Sequence, residues 1–217
     1  MKRYGLPALI TLLGLLYIFA IPTDPEWLKL LFKLLPMWLI IAYAYMQIPS
    51  GSRTRTHTMV LVGLFFCMLG DGLLRWFVIG LSAFLIGHLF YTVGFWSRRQ
   101  LTTGRLLTLL PIVIYGSYMG SQLVQSLVQH GEQGLIAPVL GYIVVISLMV
   151  WSAILTGRPL AIVGSLLFLT SDSILSWNMF VSNVAYSGPL IMLTYYAAQF
   201  CIAASLHTLG HEIASGV

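Results

Sequence analysis

The sequence predicts an all-α membrane protein: eight transmembrane helices, arranged as two parallel four-helix repeats within one domain over residues 1–217. Three observations carry this prediction: composition, the spacing of apolar stretches, and the placement of positive charge. Of 217 residues, 59% are hydrophobic and only 8% are charged, with a mean hydropathy of +0.91. Soluble proteins are roughly a quarter charged. A soluble globule of this size has nowhere to hide so much apolar surface, so the bilayer is the solvent.

A helix crosses the hydrocarbon layer with about 20 residues, and polar or Pro/Gly clusters divide the chain into eight such stretches. The first, 4–21, opens with "MKRYGLPALITLLGLLYIFA". It resembles a signal peptide but lacks a clear A-x-A cleavage site, so it reads as an uncleaved first helix. After "PTDPEW" comes 28–47, and after "IPSGSRTRTH" comes 58–75. The corner Arg75-Trp76 turns the chain into 77–96, and "SRRQLTTG" leads to 105–126. "QHGEQG" precedes 135–155, "TGRP" precedes 159–177, and "SNVAYSG" leads to 187–209. No connection is long enough for a soluble domain. Cys67 and Cys201 lie in apolar runs without CxxC spacing and read as small core residues.

Lys and Arg bias sets orientation. With eight spans both termini share one side, together with Arg53, Arg55, Arg98, Arg99, Arg105 and Arg158, and with Lys2 and Arg3. The other side holds Lys29, Lys33 and Arg75, which completes the eleven basic residues. Both termini are therefore expected in the cytoplasm, in the cytoplasmic (inner) membrane of a bacterium. The net charge of +5 lies in short loops, without a basic-aromatic module, and argues against nucleic acid as partner.

"LVGLFFCMLGDGLL" (61–74) aligns with "IVGSLLFLTSDSIL" (162–175): Gly63 and Gly164 each precede an aspartate by eight residues. The match lays the third span over the seventh, an even offset, so the halves (about 1–104 and 105–217) enter the membrane the same way up.

Two of only six acidic residues, Asp71 and Asp172, thus fall inside apolar runs. A charge at a helix centre costs about 2.5–3.5 kcal/mol even on lenient insertion scales. Such groups face the bundle interior, find partners or stay protonated. Helix parity puts both aspartates in the half remote from the termini, at the depth of Lys33, His88, Tyr195 and Gln199. His88 shares a mixed face with Phe84, Tyr91 and Thr92. Polar groups at one depth make a site, and the two aspartates are expected to share one pocket.

"GD" at Gly70-Asp71, "GHLFY" at 87–91, "SD" at Ser171-Asp172 and "YYAAQ" at 195–199 occur in this order across the chain. The ordered set resembles the YhhN-type lysoplasmalogenase family. One departure is visible: where that family has Lys-Pro-Leu in its second helix, Lys33 here is followed by Leu34-Leu35-Pro36. The resemblance implies hydrolysis of the vinyl ether bond of a lysophospholipid, a lysoplasmalogen, to a fatty aldehyde and a glycerophospho head group. It implies no cofactor and no metal.

The residues suit that chemistry independently. Protonating the outer alkene carbon of a vinyl ether leaves an oxocarbenium ion that captures water. A protonated carboxyl and a second, ionised carboxylate would serve, as in glycosidases. Asp71 and Asp172 are the candidate pair. Lys33 or Arg75 would hold the phosphate, with His88, Tyr91, Tyr195 and Gln199 as binding or orienting groups. A zinc hydrolase is the nearest enzymatic alternative. Only His88 among five histidines lies at the right depth, HExxH and GxSxG are absent, and His207, His211 and Glu212 read as a solvated face. A proton-coupled transporter or lipid-binding membrane protein is the alternative of another class. A helix-packing protein, suggested by Gly116-x-x-x-Gly120, is the third.

Overall fold

The computed structural model describes residues 2–49 and 53–209; His211 and Glu212 lie outside them. Among the described residues there are nine α-helices and no β-strand. They are α1 (Lys2–Phe19), α2 (Glu26–Met46), α3 (Arg55–Leu73), α4 (Phe77–Trp96), α5 (Thr103–Leu107), α6 (Leu109–Gln129), α7 (Ile136–Thr156), α8 (Pro159–Phe180) and α9 (Ser187–Leu209). Seven stretches are long and apolar enough to cross a membrane, and α1 contributes a shorter apolar helix, Tyr4–Phe19. The protein is a multi-pass, all-helical membrane protein.

The fifth predicted span differs from the sequence reading because it is made of two pieces. Proline lacks an N–H and its ring collides with the carbonyl four residues back. For Pro111 that carbonyl belongs to Leu107, where α5 ends, and Pro111 then sits in the tolerant first turn of α6. Thr108 bridges the break through a side-chain hydrogen bond to the Arg105 carbonyl, 2.6 Å. Pro36 acts more mildly: α2 continues through it. The Tyr196 hydroxyl donates to the Lys33 carbonyl on that stretch of the helix, 2.8 Å.

Other ends follow local chemistry. The Thr54 side chain and His57 form a reciprocal cap at the start of α3. Gly157 closes α7 at φ 65°, a left-handed cap that favours glycine, and Pro159 opens α8 in its first turn. Outward faces are apolar: Leu12, Trp38, Ile79, Ile114 and Val163 are exposed, as a lipid-facing surface requires. Exposed Trp27, Trp76 and Tyr186 sit near one set of helix ends and Tyr4, Tyr45 and Trp96 near the other, the pattern of interfacial aromatic belts.

The tightest pairings are α3 with α4 and α8 with α9. Helix α4 also meets α7, and α9 meets α2. Glycines allow the close crossings. A Cβ at Gly63 would strike the Tyr91 ring and the Gly87 carbonyl, and one at Gly164 would strike Ile202 and the Ala198 carbonyl. Overpacking at such contacts costs typically about 1–3 kcal/mol. Gly164→Val is expected to lower unfolding stability in detergent by at least that much, whereas Gly141→Ala, whose Cβ meets nothing within 4 Å, leaves stability equal or higher.

Candidate functional site

Helix α3 ends at Leu73, so the Asp71 carbonyl is among its last carbonyls, which the helix itself leaves without a donor. Lys33, projecting from α2, meets this end in two ways. Its Nζ donates to the Asp71 carbonyl, 3.1 Å, and lies 3.3 Å from Asp71 Oδ1. A cation at a helix C-terminus is doubly favourable, for the helix dipole and for the orphan carbonyl. Both side chains are largely buried, at 15% and 4% exposure. Of the two basic partners the sequence offers, Lys33 therefore takes Asp71. Arg75 stays outside, 65% exposed, 4.0 Å from Glu26 and over the Trp76 ring.

Among the described residues Asp172, on α8, has no such cation. Its Oδ2 accepts a hydrogen bond from the Tyr142 hydroxyl of α7. The two carboxylates are thus held in parallel fashion, each by a group from the preceding span, but one partner is an ammonium and the other a phenol.

Each motif residue acquires a local reason. Gly70 lets the Phe84 ring lie directly against α3 beside Asp71. Gly87 allows its helix to approach Cys67 and the Gly63 carbonyl. The Ser171 hydroxyl donates to the Ile191 carbonyl and fastens α8 to α9, 3.0 Å. The Tyr195 hydroxyl donates to the Cys67 carbonyl, 3.4 Å, and also faces the Asp71 carboxyl. Tyr91 donates to Gln199 Oε1, 2.7 Å, in the buried centre. His88 is fully buried among rings, 4.4 Å from Phe168 and 5.3 Å from Tyr142 between centroids. Both His88 nitrogens, Gln199 Nε2 and Asp71 Oδ2 have no hydrogen bond of ordinary geometry among the described residues. Buried polar atoms are rarely left so.

The aspartates open into two cavities rather than one. Asp71 and Lys33 line a wide polar one of about 750 Å³ with Tyr17, Glu26, Lys29 and Arg75. Its three cations against two carboxylates leave it net positive. Asp172 lines a narrow slot of about 70 Å³ between α4, α6, α7 and α8, otherwise almost wholly apolar. Leu74 belongs to both linings. Phe84, in edge contact with Phe168 and Tyr195, completes the wall between them. Aromatic rings at the crossing of α3, α4, α8 and α9 fill the space that sequence depth alone assigned to a common pocket.

Sequence reasoning missed Tyr142 and the Phe84–Phe168 wall. Tyr142 was findable: it lies seven residues into the span beginning at 135, close to the depth of Lys33 in the span beginning at 28. The wall carried no signal, since phenylalanine in an apolar helix is unremarkable.

Fold and site together define a helical membrane protein with two carboxyl groups, Asp71 buried and Asp172 half-buried, at the junction of a cationic cavity and an apolar one. The chain belongs to the YhhN family, whose model matches residues 28–206. It is similar to the mouse protein named lysoplasmalogenase TMEM86B, 33% identical over 94% of this chain and 86% of the relative. The human protein of that name is 35% identical over 85% and 78% of the two chains. Human lysoplasmalogenase TMEM86A is 31% identical over 84% and 80%. No solved structure matches the chain.

Removing one member of a buried ion pair typically costs about 3–5 kcal/mol, because the other is left uncompensated. Lys33→Met is therefore expected to destabilise the protein in detergent by that order, and adding Asp71→Asn to recover part of the loss. A double-mutant cycle on unfolding midpoints checks this.

Proposed function

We propose that the chain hydrolyses the vinyl ether bond of a lysoplasmalogen, yielding a fatty aldehyde and a glycerophospho head group. The observation that carries it is the pair of intramembrane aspartates, Asp71 buried and Asp172 half-buried, flanking the wall between a cationic cavity and an apolar slot. An amphiphile with an anionic head and a hydrocarbon chain has its ether linkage at that same junction. The names of the relatives agree with this chemistry.

In the reaction, a carboxyl proton goes to the outer alkene carbon and the inner carbon becomes an oxocarbenium ion. Water adds to that carbon, returns a proton to the protein, and the hemiacetal collapses to aldehyde and free glycerol hydroxyl. Asp71, paired with Lys33, suits the ionised role that stabilises the cation and orients water. Asp172, held by a phenol without a cation, suits the acid's role. Lys33, with Lys29 and Arg75 at the cavity mouth, suits the phosphate. His88, Tyr91, Tyr195 and Gln199 form the buried frame that orients both carboxyl groups. We further read all eight apolar helices as spans, with both termini cytoplasmic and the membrane that of a bacterial cell. The crossings at Gly63 and Gly164, and the parallel partners Lys33 and Tyr142, support two repeated halves.

Aldehyde release from lysoplasmalogen by purified protein, with a saturated ether lysolipid as control, tests the activity. Asp71→Asn and Asp172→Asn, nearly isosteric, are each expected to lower turnover by about 10²–10⁴-fold or more while lysolipid still binds. Near-normal turnover in either would remove that aspartate from the mechanism. Binding without any aldehyde in the unaltered protein would point to a lipid carrier instead. Carboxyl groups alone perform the steps, so exhaustive chelation leaves turnover unchanged; a loss restored by zinc would favour the metal-dependent alternative. For orientation, a reporter fused after Val217 reads cytoplasmic and one placed between Gly131 and Gly134 reads exterior.

A further inference from the structure

A second apolar hollow, of about 570 Å³, runs along the outer seam of α6 and α7. No charged residue lines it, and Val113, Val144 and Leu148 on its walls are exposed where lipid would lie. It follows α6 from Leu109 to Val124, about 22 Å of helix at 1.5 Å per residue. That exceeds half of a hydrocarbon core about 30 Å thick, so it spans more than one leaflet's depth. Its floor is shared: Gly116, Ile143 and Ser147 line both this groove and the slot that holds Asp172. These three residues lie at the boundary of the two spaces, and Gly116 brings no side chain to it.

Volume decides what the groove is for. A cavity of about 150 Å³ takes one benzene, so a slot of about 70 Å³ holds only a few carbons of any chain. The remainder of a long hydrocarbon must go elsewhere. The polar cavity on the other side of Leu74 is the wrong solvent for it. The groove is apolar, adjacent and several times larger. Of the other membrane-spanning helices α6 touches only α7 and α8, so its seam is less braced than those at the centre of the bundle.

We propose that the α6–α7 groove is the binding site for the hydrocarbon chain of the substrate, which passes from the Asp172 slot into it at Gly116. The proposal rests on the lysolipid reading above, and the path also gives the fatty product a lateral way into the bilayer.

A non-hydrolysable saturated ether lysolipid carrying a diazirine at its chain terminus tests the path in the unaltered protein. Labelling is expected on α6 and α7 within 109–124 and 140–148, and excess unlabelled lysolipid is expected to compete it away. Label on α1 or α2, no label, or label that resists competition and so marks ordinary bilayer lipid or a second copy of the chain would each overturn the proposal. Because the probe is not cleaved, this outcome is independent of whether vinyl ether hydrolysis occurs. In turnover, Gly116→Leu plugs the seam, and the ratio of kcat/KM for a long alkenyl chain to that for a short one is expected to fall about tenfold or more. Gly116→Ala, whose Cβ would sit 3.3 Å from Ser147 Oγ and 3.5 Å from Ile143 Cγ2, is expected to shift the ratio far less. Ile143→Phe obstructs the same point from α7 and replaces Gly116→Leu if that variant does not fold. An unchanged ratio in the folded plug variant would also overturn the proposal.

Discussion

A charge placed in the hydrocarbon layer is tolerated only if something compensates it, and the junction of Lys33 with the end of α3 answers that demand twice over. The ammonium meets a carboxylate and an orphan helix carbonyl at one point. Much else is arranged around it. Tyr196 reaches across from α9 to the Lys33 carbonyl, tying the helix that presents the lysine to the helix that closes the site. Tyr195, next along, addresses the stretch of α3 that carries Asp71. Removing the pair would take away the charged link between α2 and the end of α3.

The second aspartate shows the same architecture with the charge taken out. Asp172 is met by Tyr142 from the span before it, as Asp71 is met by Lys33. With an ammonium beside one aspartate and a phenol beside the other, one cavity is cationic and the other almost wholly apolar. An amphiphilic substrate needs that asymmetry: one end must be recognised by charge, the other by its absence. Two chemically identical side chains thus sit in inequivalent environments.

Keeping the environments distinct falls to aromatic packing. Phe84 rests on Gly70, and Phe168 holds His88 and Tyr195 in edge contacts. The interior is close-packed, and rings in it leave few voids. The wall is therefore a consequence of good packing at the crossing of four helices, and the hollows lie where packing is looser, toward α1 and α2 on one side and α6 on the other.

Much of this was legible in the linear sequence because a bilayer leaves so few options. Hydropathy must mark the helices, since every backbone group in lipid needs an internal partner. Polar residues in those helices stand out against their neighbours, so Asp71, Asp172, Lys33, His88, Tyr195 and Gln199 were identifiable by depth, and Tyr91 by the face it shares with His88. Depth is a single coordinate, however. Rotation about each helix axis and the choice of neighbours are set by packing between helices, and there the tertiary structure alone decided. It gave Lys33 rather than Arg75 to Asp71, drew Tyr142 to Asp172, and broke the fifth span before Pro111. By standing Phe84 and Leu74 between the aspartates, it also made two cavities of a slab that sequence depth could only describe as one.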